Sequence, residues 1–391
     1  MMNRWLLPEN ISDVLPNEAR QVEGLRRVML DRFQTYGYEL VIPPMLEFLE
    51  SLLTGTGHDL DLQMFKLVDQ FSGRTMGVRA DMTPQVARID AHLLNRSGVT
   101  RLCYAGTTLK TRVSPGTSSR EQLQLGAEVY GHSGWEADLE VMTLMLESLD
   151  YAQLGSITLD LSHVGLVSEV VSELKLSPEQ ISTLYSALQS KDIGSLKSLT
   201  ATWSEASKSL VMAFLEFSGE AKTVLTKAEQ LLPITPKITQ ALKDLQRLCD
   251  AVTDLPSKPQ VNIDLADLRG YQYHTGVMFA AYVDHFPAAL ARGGRYDEVG
   301  GAFGRSRPAT GFSLDILTVA RLSARNANKT AILAPWSSDK QMCQVIAELR
   351  NQHQVVIQLL PGQTEDVQGL VCDRELVFEA GSWKVISKIV N

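Results

Sequence analysis

Residues 101–131 read RLCYAGTTLKTRVSPGTSSREQLQLGAEVYG. Two extended runs flank a polar loop rich in Gly, Pro and Ser, the pattern of a β-hairpin. In the second run Leu123, Leu125, Ala127 and Val129 alternate with Gln122, Gln124, Gly126, Glu128 and Tyr130. Period two puts the second set on one face of a strand. Such a face is either solvated, the commoner outcome, or the floor of a pocket. As a floor it would aim two amides and a carboxylate at a polar ligand, with Gly126 leaving room. Later, VNIDLADL (261–268) and YHTGVMFAAYV (273–283) alternate in the same way. These strands are not separated one by one by helices. That predicts an α+β fold, an antiparallel sheet flanked by helices, and not a doubly wound one.

Outside the strands the period changes to that of a helix. Val22, Leu25, Met29, Phe33 and Tyr36 form one apolar stripe over 17–36, and Gly37 is a natural stop. YELVIPP follows as a short strand ended by two prolines. Residues 136–150 give a second helix, with Val141, Leu144, Met145 and Leu149 on one face and acidic residues near its start. Ser177-Pro178-Glu179-Gln180 carries an N-cap, a first-turn proline and a capping-box partner. Thr235-Pro236 starts another helix. After Thr330 the order is strand, helix, strand and two further strands. The chain therefore divides into a sheet domain in two parts, 1–165 and 259–325, a helical insertion, 166–258, and a small C-terminal domain, 326–391.

The bulk numbers bound the function classes. The 391 residues are 44 % hydrophobic and 21 % charged, as in ordinary globular proteins. MMNRWLLPEN has no apolar signal segment, and no apolar run reaches membrane-spanning length. A cytoplasmic protein is expected. Cys103, Cys249, Cys343 and Cys372 form no C-x-x-C pair, and the histidines are scattered, so neither metal nor dithiol chemistry is expected. A net charge of −8 argues against nucleic acid as a partner. There is no P-loop, no G-x-G-x-x-G after a long strand and no G-x-S-x-G, so no catalytic residue or cofactor is expected.

Three further segments carry polar groups that could read a ligand. In VRADMTPQVAR, Arg79, Asp81 and Thr83 alternate and Pro84 is expected to end the strand; Asp81 and Thr83 could hold an ammonium group. A helix-capping turn would look much the same. In DLRGYQYHTGVMF, Arg269 with Tyr271 and Tyr273 could read a carboxylate or an imidazole, or could be a salt bridge and two core tyrosines. The glycines and arginines of ARGGRYDEVGGAFGRSRPATGFSLDILT (291–318) would bring backbone close to a ligand or simply serve turns.

Taken in order, these segments resemble the catalytic core of class II aminoacyl-tRNA synthetases, and within them histidyl-tRNA synthetase, over roughly residues 8–150 and 260–322. FQTYGYELVIPPMLE looks like the first class II motif, which makes the family's dimer. Residues 101–131 look like the second, and RGGRYDEVGGAFGRSRPATGFSLDI like the third. LRGYQYHTGVMF is similar to the histidine-specific segment. The resemblance implies histidine contacts at Asp81 and Thr83 (amino group), Gln124 and Glu128 (amino and imidazole groups), Arg269 (carboxylate) and Tyr273 (imidazole). His274 stands beside Tyr273 where the family usually has a second tyrosine.

The departures fall on the nucleotide. Lys110 replaces the arginine that grips the α-phosphate, and it joins the implied histidine-binding set. Arg112 replaces a carboxylate that reads adenine, and Thr318 replaces the arginine that clamps the triphosphate. Lysine lacks the bidentate fork, and threonine has no charge. Adenylate formation depends on electrostatic stabilisation that these residues would not supply. The remaining chain is also shorter than the synthetase's anticodon-binding domain. Retained amino-acid contacts with lost nucleotide clamps are what the regulatory subunits of ATP phosphoribosyltransferase resemble. That implies a non-catalytic chain of the first step of histidine biosynthesis. It would form a homodimer within a hetero-oligomer with a short-form catalytic subunit, and bind L-histidine for feedback inhibition. The alternatives are a divergent histidyl-tRNA synthetase or amino-acid-activating ligase, and an RNA-binding module on the same fold.

Overall fold

The computed structural model describes residues 5–54, 58–113, 119–271, 273–325, 330–363 and 370–388. The middle of the expected hairpin loop, 114–118, lies outside them. The chain forms two compact units, Met1–Asp13 with Leu25–Ala324, and Val14–Gly24 with Arg325–Asn391.

α1 (Pro16–Thr35), which belongs to the larger unit from Leu25 onward, buries Leu25, Met29 and Phe33, and Gly37 in the left-handed region follows its end. β1 (Glu39–Leu40) comes next. β2 (Leu46–Phe48), α2 (Leu49–Leu53), α3 (His58–Gln63), β3 (Phe65–Val68) and β4 (Thr75–Val78) follow, and β2-β4-β3 form a small antiparallel sheet. α4 (Thr83–Arg88) corrects one expectation: Pro84 ends no strand but lies in the first turn of this helix. Its missing N–H costs nothing there.

The main sheet is completed by β5 (Thr100–Leu109), β6 (Glu121–Tyr130), α5 (Trp135–Tyr151) and β7 (Ile157–His163). Then come α6 (Val164–Ser172), α7 (Pro178–Gln189), α8 (Ile193–Leu199), α9 (Glu205–Ala213), β8 (Ser218–Glu220), α10 (Ala221–Leu231) and α11 (Pro236–Thr253). α7 opens with both halves of the Ser177–Gln180 capping box, and Thr235 caps α11. β9 (Gln260–Asp264), β10 (Val277–Val283), β11 (Ala291–Arg295), β12 (Ala309–Asp315) and α12 (Ile316–Leu322) end the unit.

Among the described residues, nine strands make one sheet in the order β1-β5-β6-β12-β11-β10-β7-β9-β8. From β5 to β7 every pairing is antiparallel, whereas β1–β5 and β7–β9 are parallel. A parallel neighbour needs a long crossover, and the helical stretch between β7 and β9 provides one.

α5 covers one face of this sheet with Val141, Met142, Leu144, Met145 and Leu149, all fully buried. The other face, over β5, β6, β12 and β11, carries polar side chains. β11 has both directions on one strand. Its Arg295 reaches the α5 side, where it donates to Asp138 Oδ2 (2.8 Å), Gly134 O (2.9 Å) and His132 O (3.1 Å). Gly294, of opposite parity, faces His274 on the polar side.

The smaller unit contains β13 (Thr330–Ala334), α13 (Lys340–Asn351), β14 (Val355–Gln358), β15 (Val371–Glu379) and β16 (Ser382–Ser387), with sheet order β14-β13-β15-β16. Ile332, Ala334, Met342, Ile346, Val356 and Leu376 form its core.

The Arg295–Asp138 pair is buried at both ends. Arg295→Leu strands the Asp138 carboxylate in the core, which should cost about 3–5 kcal/mol by urea unfolding. A loss below about 1 kcal/mol would contradict this account.

Candidate functional site

The polar face carries two adjoining cavities. The smaller, about 160 Å³, is lined by Asp81, Thr83, Glu128, Tyr273 and His274 together with Arg292, Tyr296 and Ser313. The larger, about 460 Å³, is lined by Asp81, Lys110, Gln124 and Arg269 together with Gln122, Arg292, Asp315 and Thr318. The structure thus brings all eight sequence-selected residues to one region, divided between two cavities.

Glycines make the floor possible. In the sheet register Gly311 lies opposite Glu128, and Gly126 lies between Tyr104 and Ser313. A Cβ on Gly311 would fall on the Glu128 carboxylate, and one on Gly126 would fall on the Tyr104 hydroxyl. The missing side chains let Glu128 and Tyr104 lie flat across the strands.

Glu128 is 1 % exposed. Its Oε1 accepts from the Tyr104 hydroxyl (2.9 Å) and its Oε2 from the Tyr296 hydroxyl (2.6 Å). The Thr83 hydroxyl lies 3.0 Å from that of Tyr104, and the Tyr130 hydroxyl 3.2 Å from that of Tyr296. Among the described residues no lysine or arginine bonds to Glu128. Burial therefore dominates and pushes its pKa up to about 8, against the pull of the two tyrosine hydrogen bonds. The group is mostly a neutral carboxylic acid at pH 7. It can donate as well as accept, a useful property against an imidazole.

Beside it, Gln124 donates to Asp81 Oδ1 (2.8 Å) and accepts from Met82 N (2.9 Å), and Thr83 N also reaches Asp81 Oδ1 (3.0 Å). Asp81 is thus oriented through one oxygen, and the other is left toward the cavity. The Tyr273 hydroxyl is buried and has no protein partner. An unsatisfied buried hydroxyl costs about 1–3 kcal/mol, so a ligand that supplies its partner gains by it. Burial pushes His274 down to about 4, so its ring is neutral. Its Nδ1 lies 3.3 Å from Arg295 O, an acceptor only, so Nδ1 carries the proton.

The larger cavity is poorly equipped for a triphosphate. Thr318 donates its hydroxyl to Asp315 Oδ2 (2.6 Å), and Asp315 caps α12 through Leu317 N and Thr318 N. A carboxylate and a neutral hydroxyl occupy that corner. Arg112 is exposed and lines neither cavity. Arg269 lines the larger cavity, but its Nε donates to Asp267 Oδ1 (2.6 Å) and its Nη2 to Asp267 Oδ2 and to the Tyr282 hydroxyl (2.9 Å). Tyr271 stacks on Tyr185 with centroids 4.3 Å apart, outside both cavities. Among the described residues no group of three or more His, Cys, Asp or Glu is placed to hold a metal ion.

Sequence reading missed Tyr104, Tyr296, Ser313 and Arg292. Tyr104 lay in the extended run 101–110, where its parity could have been read, whereas Arg292 lay in a glycine-rich stretch read as turns and not as a strand. Tyr296 lies one residue past its strand, so its side chain follows no period.

A raised carboxyl pKa stabilises the fold at low pH. The contribution is complete below the ordinary value of 4.5 and is lost as pH rises toward about 8. Between those limits stability should fall by at most about 1.4 kcal/mol per pH unit. Glu128→Gln should remove that slope, read as the difference in unfolding free energy from the parent chain across pH 5–8. A difference independent of pH would show that Glu128 is ionised in the fold.

Residues 10–319 match the histidyl-tRNA synthetase family model, and residues 329–386 match that of the C-terminal domain of the ATP phosphoribosyltransferase subunit HisZ. The ATP phosphoribosyltransferase regulatory subunit of Polynucleobacter asymbioticus is 57 % identical over 99 % of this chain and 100 % of that one. That of Ralstonia nicotianae is 56 % identical over 98 % of each. A solved structure described as an ATP phosphoribosyltransferase regulatory subunit/histidyl-tRNA synthetase from Bacillus halodurans superposes with a TM-score of 0.82 at 26 % identity, over 94 % of this chain and 98 % of that one. Histidyl-tRNA synthetase from Nostoc sp. shares the fold, with a TM-score of 0.77 over 98 % of this chain and 97 % of that one at 18 % identity. The synthetase-like sheet, the polar cavity on it and full-length identity above one half agree: the chain belongs to the ATP phosphoribosyltransferase regulatory subunit family.

Proposed function

We propose that this chain is a non-catalytic subunit that activates a short-form ATP phosphoribosyltransferase and senses L-histidine in the cavity floored by Glu128. The observation that carries the sensing role is one small cavity lined by a neutral, buried carboxylic acid, an unpartnered Tyr273 hydroxyl and the Asp81 carboxylate. Those groups complement an imidazole and an ammonium. The corner built from Thr318 and Asp315 favours no phosphate, which fits recognition without activation.

Feedback requires that histidine bind two states of the assembly with different affinity. The reading also includes a homodimer through the first class II motif. β1 is an edge strand, and Leu40 and Ile42 beside it are 49 % and 82 % exposed. Such an edge is a template for pairing. The four-part organisation, a sheet core in two segments, a helical insertion and a small C-terminal domain, is part of the same proposal. So is a cytoplasmic location, which the four free thiols favour.

The test is reconstitution. The full chain should co-purify with a short-form catalytic subunit. Phosphoribosyl transfer should rise at least tenfold on its addition and fall on addition of L-histidine. Glu128→Ala should weaken histidine inhibition while the complex still assembles. A catalytic subunit equally active without this chain would defeat the proposal. For the dimer, Ile42→Asp should shift the isolated chain toward monomer in sedimentation equilibrium; an unchanged mass would place the interface elsewhere.

A further inference from the structure

Arg292 borders both cavities and also a third, about 70 Å³, beside Asp160, Asp264 and Asp267. The two larger cavities share Asp81, Arg292 and Ser313. Their common boundary therefore offers one anion, one cation and one hydroxyl. That is the complement of the head group of a free α-amino acid, whose ammonium and carboxylate sit on one carbon.

We propose that Arg292, and not Arg269, receives the α-carboxylate of the ligand while Asp81 takes its ammonium group. The inference rests on the amino-acid-sensing reading above and assigns its specificity.

Three observations carry it. The first is availability. Arg269 spends Nε and Nη2 on Asp267 and Tyr282, whereas Arg292 has no hydrogen-bond or ion-pair partner among the described residues. The second is direction. Arg295 reaches the α5 side of β11, so Arg292, three residues earlier, has the parity of Gly294 and stands on the cavity side. The third is room. In the register Arg292 lies opposite Ser313, Ser313 opposite Gly126, and Gly126 opposite Tyr104. The Tyr104 hydroxyl covers Gly126, so the open floor lies along Ser313, Gly311 and Gly294, between Arg292 and Glu128. A ligand can lie there with its carboxylate at Arg292 and its side chain toward Glu128.

Arg292 is exposed to the open cavities. Desolvation, and then the charge of Arg269, push its pKa down. An anion at the boundary relieves both. A planar fork suits a carboxylate, which it can meet with two parallel hydrogen bonds.

Isothermal titration of the full chain at two temperatures tests this, with L-histidine and L-histidinamide as ligands. The amide keeps the ammonium and imidazole and removes the carboxylate charge. The parent chain should prefer L-histidine. Arg292→Gln should weaken L-histidine by about 10- to 100-fold and bring the two ligands to similar affinity, with binding of the amide little changed. Arg269→Gln should keep the preference. Arg292→Gln should also unfold at close to the parent's thermal midpoint, since it removes no hydrogen bond or ion pair of the fold. An Arg292→Gln chain that still prefers L-histidine as the parent does, or an Arg269→Gln chain that loses the preference, overturns the assignment alone. A parent chain that binds neither ligand removes the sensing reading, and this proposal with it.

Discussion

A carboxylic acid buried without a cation is the constraint around which the site is organised. Glu128 could not lie in the sheet interior as an unshielded anion, because the desolvation cost would be several kcal/mol. Tyr104 and Tyr296 offset part of that cost, and a raised pKa removes most of the rest. Holding Tyr104 and Glu128 flat requires bare backbone at Gly126 and Gly311. The strand register then places Ser313 and Arg292 in the next ranks. One acid thus fixes the chemistry of three neighbouring strands. On the proposed reading it also favours a ligand that presents a neutral hydrogen-bonding ring there.

The same polar face explains the division between recognition and activation. At the Glu128 end Glu128, Asp81 and Gln124 are oriented by neighbours, and the Tyr273 hydroxyl awaits a partner. At the Thr318 end the positions that would stabilise a pentavalent phosphate present Asp315 and a hydroxyl bound to it. A developing negative charge there would meet an anion. Lys110 lines the same cavity but offers a point charge without a fork. On the proposed reading the fold keeps the amino-acid half of a synthetase site and lacks the electrostatics of the nucleotide half.

Local patterns were legible in the sequence because they depend on neighbours in the chain. The stripe of Leu25, Met29 and Phe33, the Ser177 capping box and the alternation through Glu128 all reappear in three dimensions. The alternation could not say whether its polar face met water. That depended on Tyr104 and Tyr296, contributed by β5 and by the end of β11. Pro84 was misread because Asp-Met-Thr-Pro serves a strand end and a helix start equally well; only the register of β4 decided it. The two parallel pairings were invisible for a related reason, since they join segments far apart in the chain. The sequence left Arg269 open between a ligand contact and a salt bridge. Its tie to Asp267, two residues earlier, depends on a turn that periodicity does not describe.

The proposed function requires a cavity that recognises an amino acid without energising it. Histidine-dependent ATP–pyrophosphate exchange measures that separation directly. The purified full chain, given L-histidine, ATP and magnesium, should exchange no pyrophosphate above the level without histidine. Robust exchange that depends on histidine would mean that Lys110 and the Thr318 corner do stabilise the transferring phosphate, and the division between the two halves of the site would be wrong.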